Sequence, residues 1–316
     1  MAERARIRPG YGHRGSDRLG DNRSMAGRPL EAPSHETAPG WQVVWRRFRK
    51  HRLAVASLAV FTLIALCAVF AEWVAPYGAT EQNLERLLES PSRDFLLGTD
   101  TLGRDTLSRI LYGGRISLLV GMAVALISGV VGTAVGLVAG YCRRWVDSAL
   151  MRVTDTMLAL PSLMVVIMAA RVLGDGVLDV VVVLAGVTWM VPARIVRAKV
   201  LSLCEHQFVE AAVALGVPGR RIMIRDLLPN LVGEIVVSVS LTVAGAILAE
   251  STLSFLGLGV SATRTATWGN MLGGNEGFVI TAPWLVWAPG LAIVVTVLCI
   301  NFIGDGLRDA LDPPRR

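Results

Sequence analysis

Six stretches of this 316-residue chain stay apolar for about twenty residues or more, at about 53–75, 116–140, 153–172, 177–195, 231–256 and 284–304. A hydrocarbon layer of roughly 30 Å takes about twenty residues of α-helix at about 1.5 Å each. Inside that layer no water bonds the backbone, so runs of this length fold as helices that satisfy their own polar groups. The expectation is an all-α integral membrane protein with six transmembrane helices. A hydrophobic content of 53% and a mean hydropathy of +0.53 set aside the two soluble domains that length alone would suggest.

The net charge of +6 does not point to nucleic acid, because the arginines flank apolar runs and do not interleave with aromatics in one patch. With the N-terminus inside, segments 41–52, 141–152, 194–230 and 305–316 hold seventeen Arg and Lys residues. The other side holds five between 76 and 115, plus Arg171 and Arg264, and offsets the five with Glu81, Glu85, Glu89, Asp94, Asp100 and Asp105. The positive-inside rule then puts both termini in the cytoplasm.

Residues 1–40 are rich in Arg, Gly and Pro without apolar periodicity and read as a disordered cytoplasmic tail. No cleavable signal is expected, since the first apolar run begins only near Leu53, and Met25 is a second candidate start. Residues 41–52 form a basic collar with Trp41, Trp45 and Phe48 suited to a membrane interface, and 53–312 form the membrane domain.

Several chemistries are excluded. The two lysines, Lys50 and Lys199, do not follow glycine, so this chain has no phosphate-binding loop for ATP. Cys67, Cys142, Cys204 and Cys299 are scattered singly and read as packing residues. The histidines His13, His35, His51 and His206 are not paired at metal spacing, and no nucleophile and base lie together at span depth.

Between the fourth and fifth runs lies a loop at 205–230 whose core reads EAAVALGVPGRRIMIRDLLPN from Glu210 to Asn230. Helix formers run to Leu215, Gly216 suits a left-handed cap, and Pro218 has its φ preset for a new first turn. In the second helix Ile224, Leu227 and Leu228 recur at i, i+3, i+4, Arg221 and Arg225 share another face, and Pro229 should end the helix. The small Ala211 and Ala212 leave room for another protein to approach the backbone.

This loop resembles the cytoplasmic coupling loop of ABC-importer permeases. That pattern runs E-A-A, three residues, Gly, five residues, Ile, three residues, usually His, one residue, then L-P-N. Glu210, Ala211, Ala212, Gly216, Ile222, Leu228, Pro229 and Asn230 fall in register, and Asp226 stands where His is usual. The segment from Leu96 to Ser117, with GTDTLGRD inside it, is similar to permeases of the dipeptide, oligopeptide and nickel importer family, in particular the second permease of each pair. The resemblance implies a type I importer permease in the bacterial plasma membrane. It also implies a second homologous permease, two ATPase subunits on the cytoplasmic face that bind the ATP and Mg, and an external solute-binding protein. No cofactor is implied in this chain, and the nine loop residues are implied to couple it to the ATPases.

Four features stand outside the loop. Leu107, Ile110 and Leu111 predict a short outer-face helix that turns inward at Gly113 and Gly114. Gly132, Gly136 and Gly140, with Gly121, Ala125 and Gly129 one register away, predict close helix packing. Asp155 reads as a carboxylate favoured at the start of the third span, with a kink at Pro161, although similar residues occur there in the family. Glu250 lies in a span, where a carboxylate costs about 2.5–3.5 kcal/mol at mid-bilayer. It either lines a path or bonds a neighbouring backbone. An ion-coupled secondary transporter is the competing class, and it would show inverted repeats, broken helices in matched positions and buried ion-site residues; the sequence shows no convincing internal repeat.

Overall fold

A 37-residue helix, α4 (Thr106–Cys142), is the strut on which most of the chain packs. At about 1.5 Å per residue it is about 55 Å long, so it overshoots a roughly 30 Å hydrocarbon layer. It starts where the Asp105 carboxylate accepts from the Ser108 amide at 2.8 Å and the Ser108 hydroxyl at 2.6 Å, a side-chain cap on otherwise orphaned donors. The inward turn expected at Gly113 and Gly114 does not occur, and the helix continues through both. Their missing side chains serve proximity: a Cβ would lie 3.3 Å from the Thr267 backbone at Gly113 and 3.0 Å from the Trp268 ring at Gly114.

The computed structural model describes residues 41–262 and 265–311. The expected tail over 1–40, Arg264 and the end of the domain after 311 lie outside the described residues. In order, the helices before α4 are α1 (Trp41–Phe48), α2 (Arg52–Val69) and α3 (Ala71–Val74). After it come α5 (Arg144–Ala159), α6 (Ser162–Leu173), α7 (Val177–Thr188), α8 (Met190–Leu203), α9 (Gln207–Ala214) and α10 (Gly219–Arg221). The last are α11 (Val232–Phe255), α12 (Trp268–Leu272) and α13 (Trp284–Leu311). Among the described residues there is no strand, only an isolated bridge between Thr99 and Asp105. Five helical stretches are long and apolar enough to cross a membrane, and the α5–α6 pair, bent by 89°, makes a sixth if it counts as one span.

The two glycine registers of α4 take different partners. A Cβ on Gly132 would sit 2.7 Å from the Trp189 carbonyl, and one on Gly136 2.5 Å from the Ala193 carbonyl, so this row admits the backbone of α8. Gly121 and Gly129 face Ile247 and Val239 of α11 instead, each 2.5 Å from such an atom. Where lipid gives helices no hydrophobic reason to associate, close backbone approach of this kind supplies the attraction.

Pro161 breaks the third span more completely than a kink. Its ring removes a donor and disfavours helix at Leu160, so α5 stops at Ala159 and α6 restarts at Ser162 in a new direction. Asp155 does not cap α5. It lies near the helix's far end and accepts from the Arg194 guanidinium of α8 at 2.5 Å. The collar also differs from expectation: Phe48 is buried beside Val44, Ala54 and Ala310, leaving Trp45 exposed. It is held there by α13, whose Gly306 admits the Phe48 ring.

Candidate functional site

The loop at 205–230 is an elbow whose sharp turn follows from local backbone chemistry. Helix α9 ends in paired bonds, Val217 N–H to the Ala212 carbonyl at 3.1 Å and Gly216 N–H to the Val213 carbonyl at 3.0 Å. This is the arrangement that closes a helix through a left-handed residue, and Gly216 has φ +73°. No atom lies within 4 Å of a Cβ built there, so the need for glycine is conformational and not steric. Pro218 then precedes α10, accepting from the Arg221 amide at 2.8 Å.

The elbow's inner side is fastened to the spans. Val209 is the buried residue of α9, and it joins a cluster with Leu137 of α4, Val196, Val200 and Leu203 of α8, and Ile222, Leu227 and Leu231 beyond the bend. Ala212 and Val217 pack on the same cluster, so Ala212 faces inward and only Ala211 of the pair is exposed. Gly219 rests on Tyr141, whose ring would come within 2.7 Å of a Cβ there. Lys199 of α8 reaches Glu234 of α11 at 2.7 Å, a further tie across the base.

The second leg departs from the expected helix in two ways. Ile222–Leu227 is a π-helical turn and Leu228–Leu231 a 3-10 turn, and the chain passes through Pro229 into α11 without ending. A widened turn ahead of a proline relieves the clash its ring would make in a regular helix, and the missing N–H falls where bonding is already shifted. The wider turn also moves the apolar face. Ile222, Leu227 and Leu231 are fully buried, whereas Ile224, expected on that face, is 51% exposed.

On the outer side stand Glu210, Ala211, Arg220, Arg221, Arg225, Pro229 and Asn230, all exposed, with Asp226 and Leu228 half-buried. Asn230 donates to the Asp226 carbonyl at 2.6 Å. Two apolar residues that the pattern did not single out, Val213 and Leu215, are 56% and 83% exposed on the same elbow. Period counting would not have found Val213, which lies four residues after the buried Val209 and so on the face expected to point inward. Cys204, at the foot of the elbow, has its thiol pushed up by burial against the opposing pull of Arg143, which suits a packing residue.

Two polar clusters lie elsewhere. Glu250 is fully buried and accepts from the Ser254 hydroxyl at 2.7 Å and the Ser117 hydroxyl at 3.2 Å, while Ser117 in turn accepts from the Trp268 amide at 3.2 Å. It therefore bonds side chains of α4 and α11 and, through Ser117, holds the start of α12. In the loop between α3 and α4 Asp100 meets the guanidinium groups of Arg104 and Arg109. Burial alone would raise its carboxyl, but the Arg104 and Leu102 amides and the Arg109 charge hold it below the usual carboxylate range. Among the described residues no group of three or more His, Cys, Asp or Glu side chains could hold a metal ion.

Comparison with known proteins agrees with this architecture. Residues 132–316 match the family model described as binding-protein-dependent transport system inner membrane component, and residues 40–91 match the N-terminal TM domain of oligopeptide transport permease C. The dipeptide transport system permease protein DppC of Alkalihalophilus pseudofirmus is 38% identical over 295 residues, covering 90% of this chain and 97% of the relative. The di/tripeptide transport system permease protein DppC of Pseudomonas aeruginosa is 40% identical over 296 residues, covering 92% and 97%. The glutathione transport system permease protein GsiD of Escherichia coli is 38% identical over 286 residues, covering 90% and 94%. The chain thus belongs to the family of binding-protein-dependent transport system inner membrane components, as an all-helical, multi-pass ABC permease of the bacterial membrane and not an enzyme.

Proposed function

We propose that this permease carries short peptides, or a related small solute, inward as one of two homologous permease subunits. In this reading two ATPase subunits, which themselves bind the ATP and Mg, dock on the elbow, an external protein delivers the solute, and both termini face the cytoplasm. The observation that carries it is the elbow's two-sidedness. Its outer side offers Glu210, Ala211, Val213 and Leu215 to a partner, while its inner side is locked through Val209 and Ile222 into a cluster shared by α4, α8 and the base of α11. A push on the outer side therefore moves the ends of three spans together.

Glu210 supplies the charged contact at the ATPase groove, Ala211 allows close approach, and Gly216 sets the angle between the legs. Ile222, Leu228, Pro229 and Asn230 join the second leg to α11, with Asp226 standing where an imidazole is usual. The peptide-transport names of the relatives support the substrate class, and a nickel-type solute is the variant that a binding screen on the external protein would reveal.

The test is uptake of a labelled dipeptide by the assembled complex, with Gly216→Val as the probe. A β-branched residue in the left-handed region costs about 1–2 kcal/mol. Uptake should stop while the permease stays in the membrane, and the ATPases should co-purify with the unaltered chain. Uptake driven by a proton gradient with no ATPase present would refute the proposal and favour a secondary carrier.

A further inference from the structure

Helix α5 hangs between two joints. At the first, Arg143 and Arg144 take φ of +53° and +47°, a region that residues with side chains seldom occupy, and no side chain caps the helix there. At the second, Leu160 and Pro161 interrupt the path and α6 leaves at 89°. Between the joints only Met151 and Thr154 are buried, whereas Val153, Met157 and Leu158 are exposed. Packing within the chain thus holds α5 along its first part, where Val146, Ala149 and Leu150 are half-buried beside Met151 and Thr154, and leaves it bare from Asp155 onward.

Two ion pairs tie it to α8. The Arg197 guanidinium grips both oxygens of Asp147, Nε to Oδ1 at 2.5 Å and Nη2 to Oδ2 at 2.6 Å, and Arg194 donates to Asp155 at 2.5 Å. The order is reversed along the two helices, as antiparallel neighbours require. Arg197 is itself immobile at its base: a Cβ on Gly136 would lie 3.0 Å from its amide nitrogen, and one on Gly140 3.1 Å from its carbonyl oxygen. Three residues after Arg197, Val200 enters the buried cluster that fastens the elbow. One continuous line of contacts therefore runs from the elbow through α8 and Arg197 to Asp147 and α5.

We propose that Arg197 and Asp147, seconded by Arg194 and Asp155, are positioning residues that make α5 swing about its two joints whenever the elbow moves. This rests on the coupling reading above. The two-pronged grip matters because it fixes orientation as well as distance, which a lysine's point charge does not. The first pair carries more of the linkage, since its side chains are 32% and 17% exposed against 51% and 60% in the second.

The experiment measures solute moved per ATP hydrolysed by the whole complex in proteoliposomes. Asp147→Asn and Arg197→Gln should each lower that ratio about tenfold with hydrolysis retained, a typical size for coupling between sites. The double variant should be no worse than the poorer single, because both remove one interaction. Arg197→Lys should fall between. An unchanged ratio in both singles, or losses that multiply in the double, would overturn the linkage. A merely structural role would lower yield and hydrolysis together and leave the ratio alone, which also overturns it. Should Asp147→Asn not assemble, Arg197→Lys decides by the same ratio, a normal value counting against. Unaltered complex that transports without ATP would overturn the coupling reading itself, and the linkage with it.

Discussion

Helices α4 and α8 meet backbone to backbone, whereas α5 reaches α8 mainly through the tips of long side chains. The first contact has no slack: at Gly132, Gly136 and Gly140 nothing flexible lies between the two helices, so they move as one body. The second is directional and carried by side chains alone, so α5 can turn about its joints while Arg197 keeps hold of Asp147. One chain therefore contains a rigid strut and a hinged arm, and the difference lies in which residue types face α8. Small residues make the strut and charges tether the arm.

The largest effect should come from breaking the strut. Gly136→Leu places a branched side chain where a Cβ alone would be 2.5 Å from the Ala193 carbonyl, and a backbone atom cannot rotate away. Overpacking costs about 1–3 kcal/mol where neighbours can shift and more where, as here, the obstacle is backbone, so the permease should vanish from the membrane fraction. Gly245→Leu on α11, with no atom within 4 Å, should leave its level unchanged. Equal levels for the two would erase the distinction between strut and surface.

Next in size is a test of where the elbow's second leg enters the rigid body. Ile222→Ala empties a fully buried site and should cost about 2–5 kcal/mol in thermal unfolding of the detergent-purified protein. Ile224→Ala, half exposed, should stay within about 0.5 kcal/mol. The reverse ranking would mean a regular helix in place of the π turn.

That pair of residues also marks the limit of what could be read from the sequence. The bend at Gly216 was legible because it is local: a helix former, a residue free to take positive φ, and a preset proline lie within four positions. The rows of glycine on α4 were legible because their spacing of four is the helix period. The shift of the apolar face from Ile224 to Ile222 was not, since period counting assumes a regular helix and a π turn breaks that assumption. Phe48 needed α13, more than 250 positions later, to be recognised as buried. Asp155 looked like a cap because its partner, Arg194, lies 39 residues away and across a bend that only the fold reveals. Gly113 and Gly114 misled in the opposite direction, as glycine marks both turns and close approaches and only tertiary neighbours tell which.

A smaller effect is expected from removing a buried polar group that helps join the rigid body. Glu250→Ala leaves the Ser117 and Ser254 hydroxyls buried without their acceptor, which costs about 1–3 kcal/mol. Glu250→Gln keeps the shape and one of the two acceptor oxygens and should recover part of the loss. If the glutamine variant unfolds as early as the alanine one, the negative charge and not the hydrogen bonding is what joins α4, α11 and α12.

The smallest effect belongs to the outer tether of the arm. Asp155 and Arg194 approach to 2.5 Å, a distance that would suggest a strong bond, yet their side chains are 60% and 51% exposed. Exposed pairs are screened within about 8 Å at physiological salt and contribute about 0–1 kcal/mol, because ordering two side chains offsets most of the attraction. Asp155→Asn should therefore shift thermal unfolding of the purified protein by less than about 1 kcal/mol, and by less still in high salt. A loss above about 2 kcal/mol, insensitive to salt, would mean that this tether is buried against another surface. The arm would then belong to the rigid body, and α5 would have no freedom for the elbow to use.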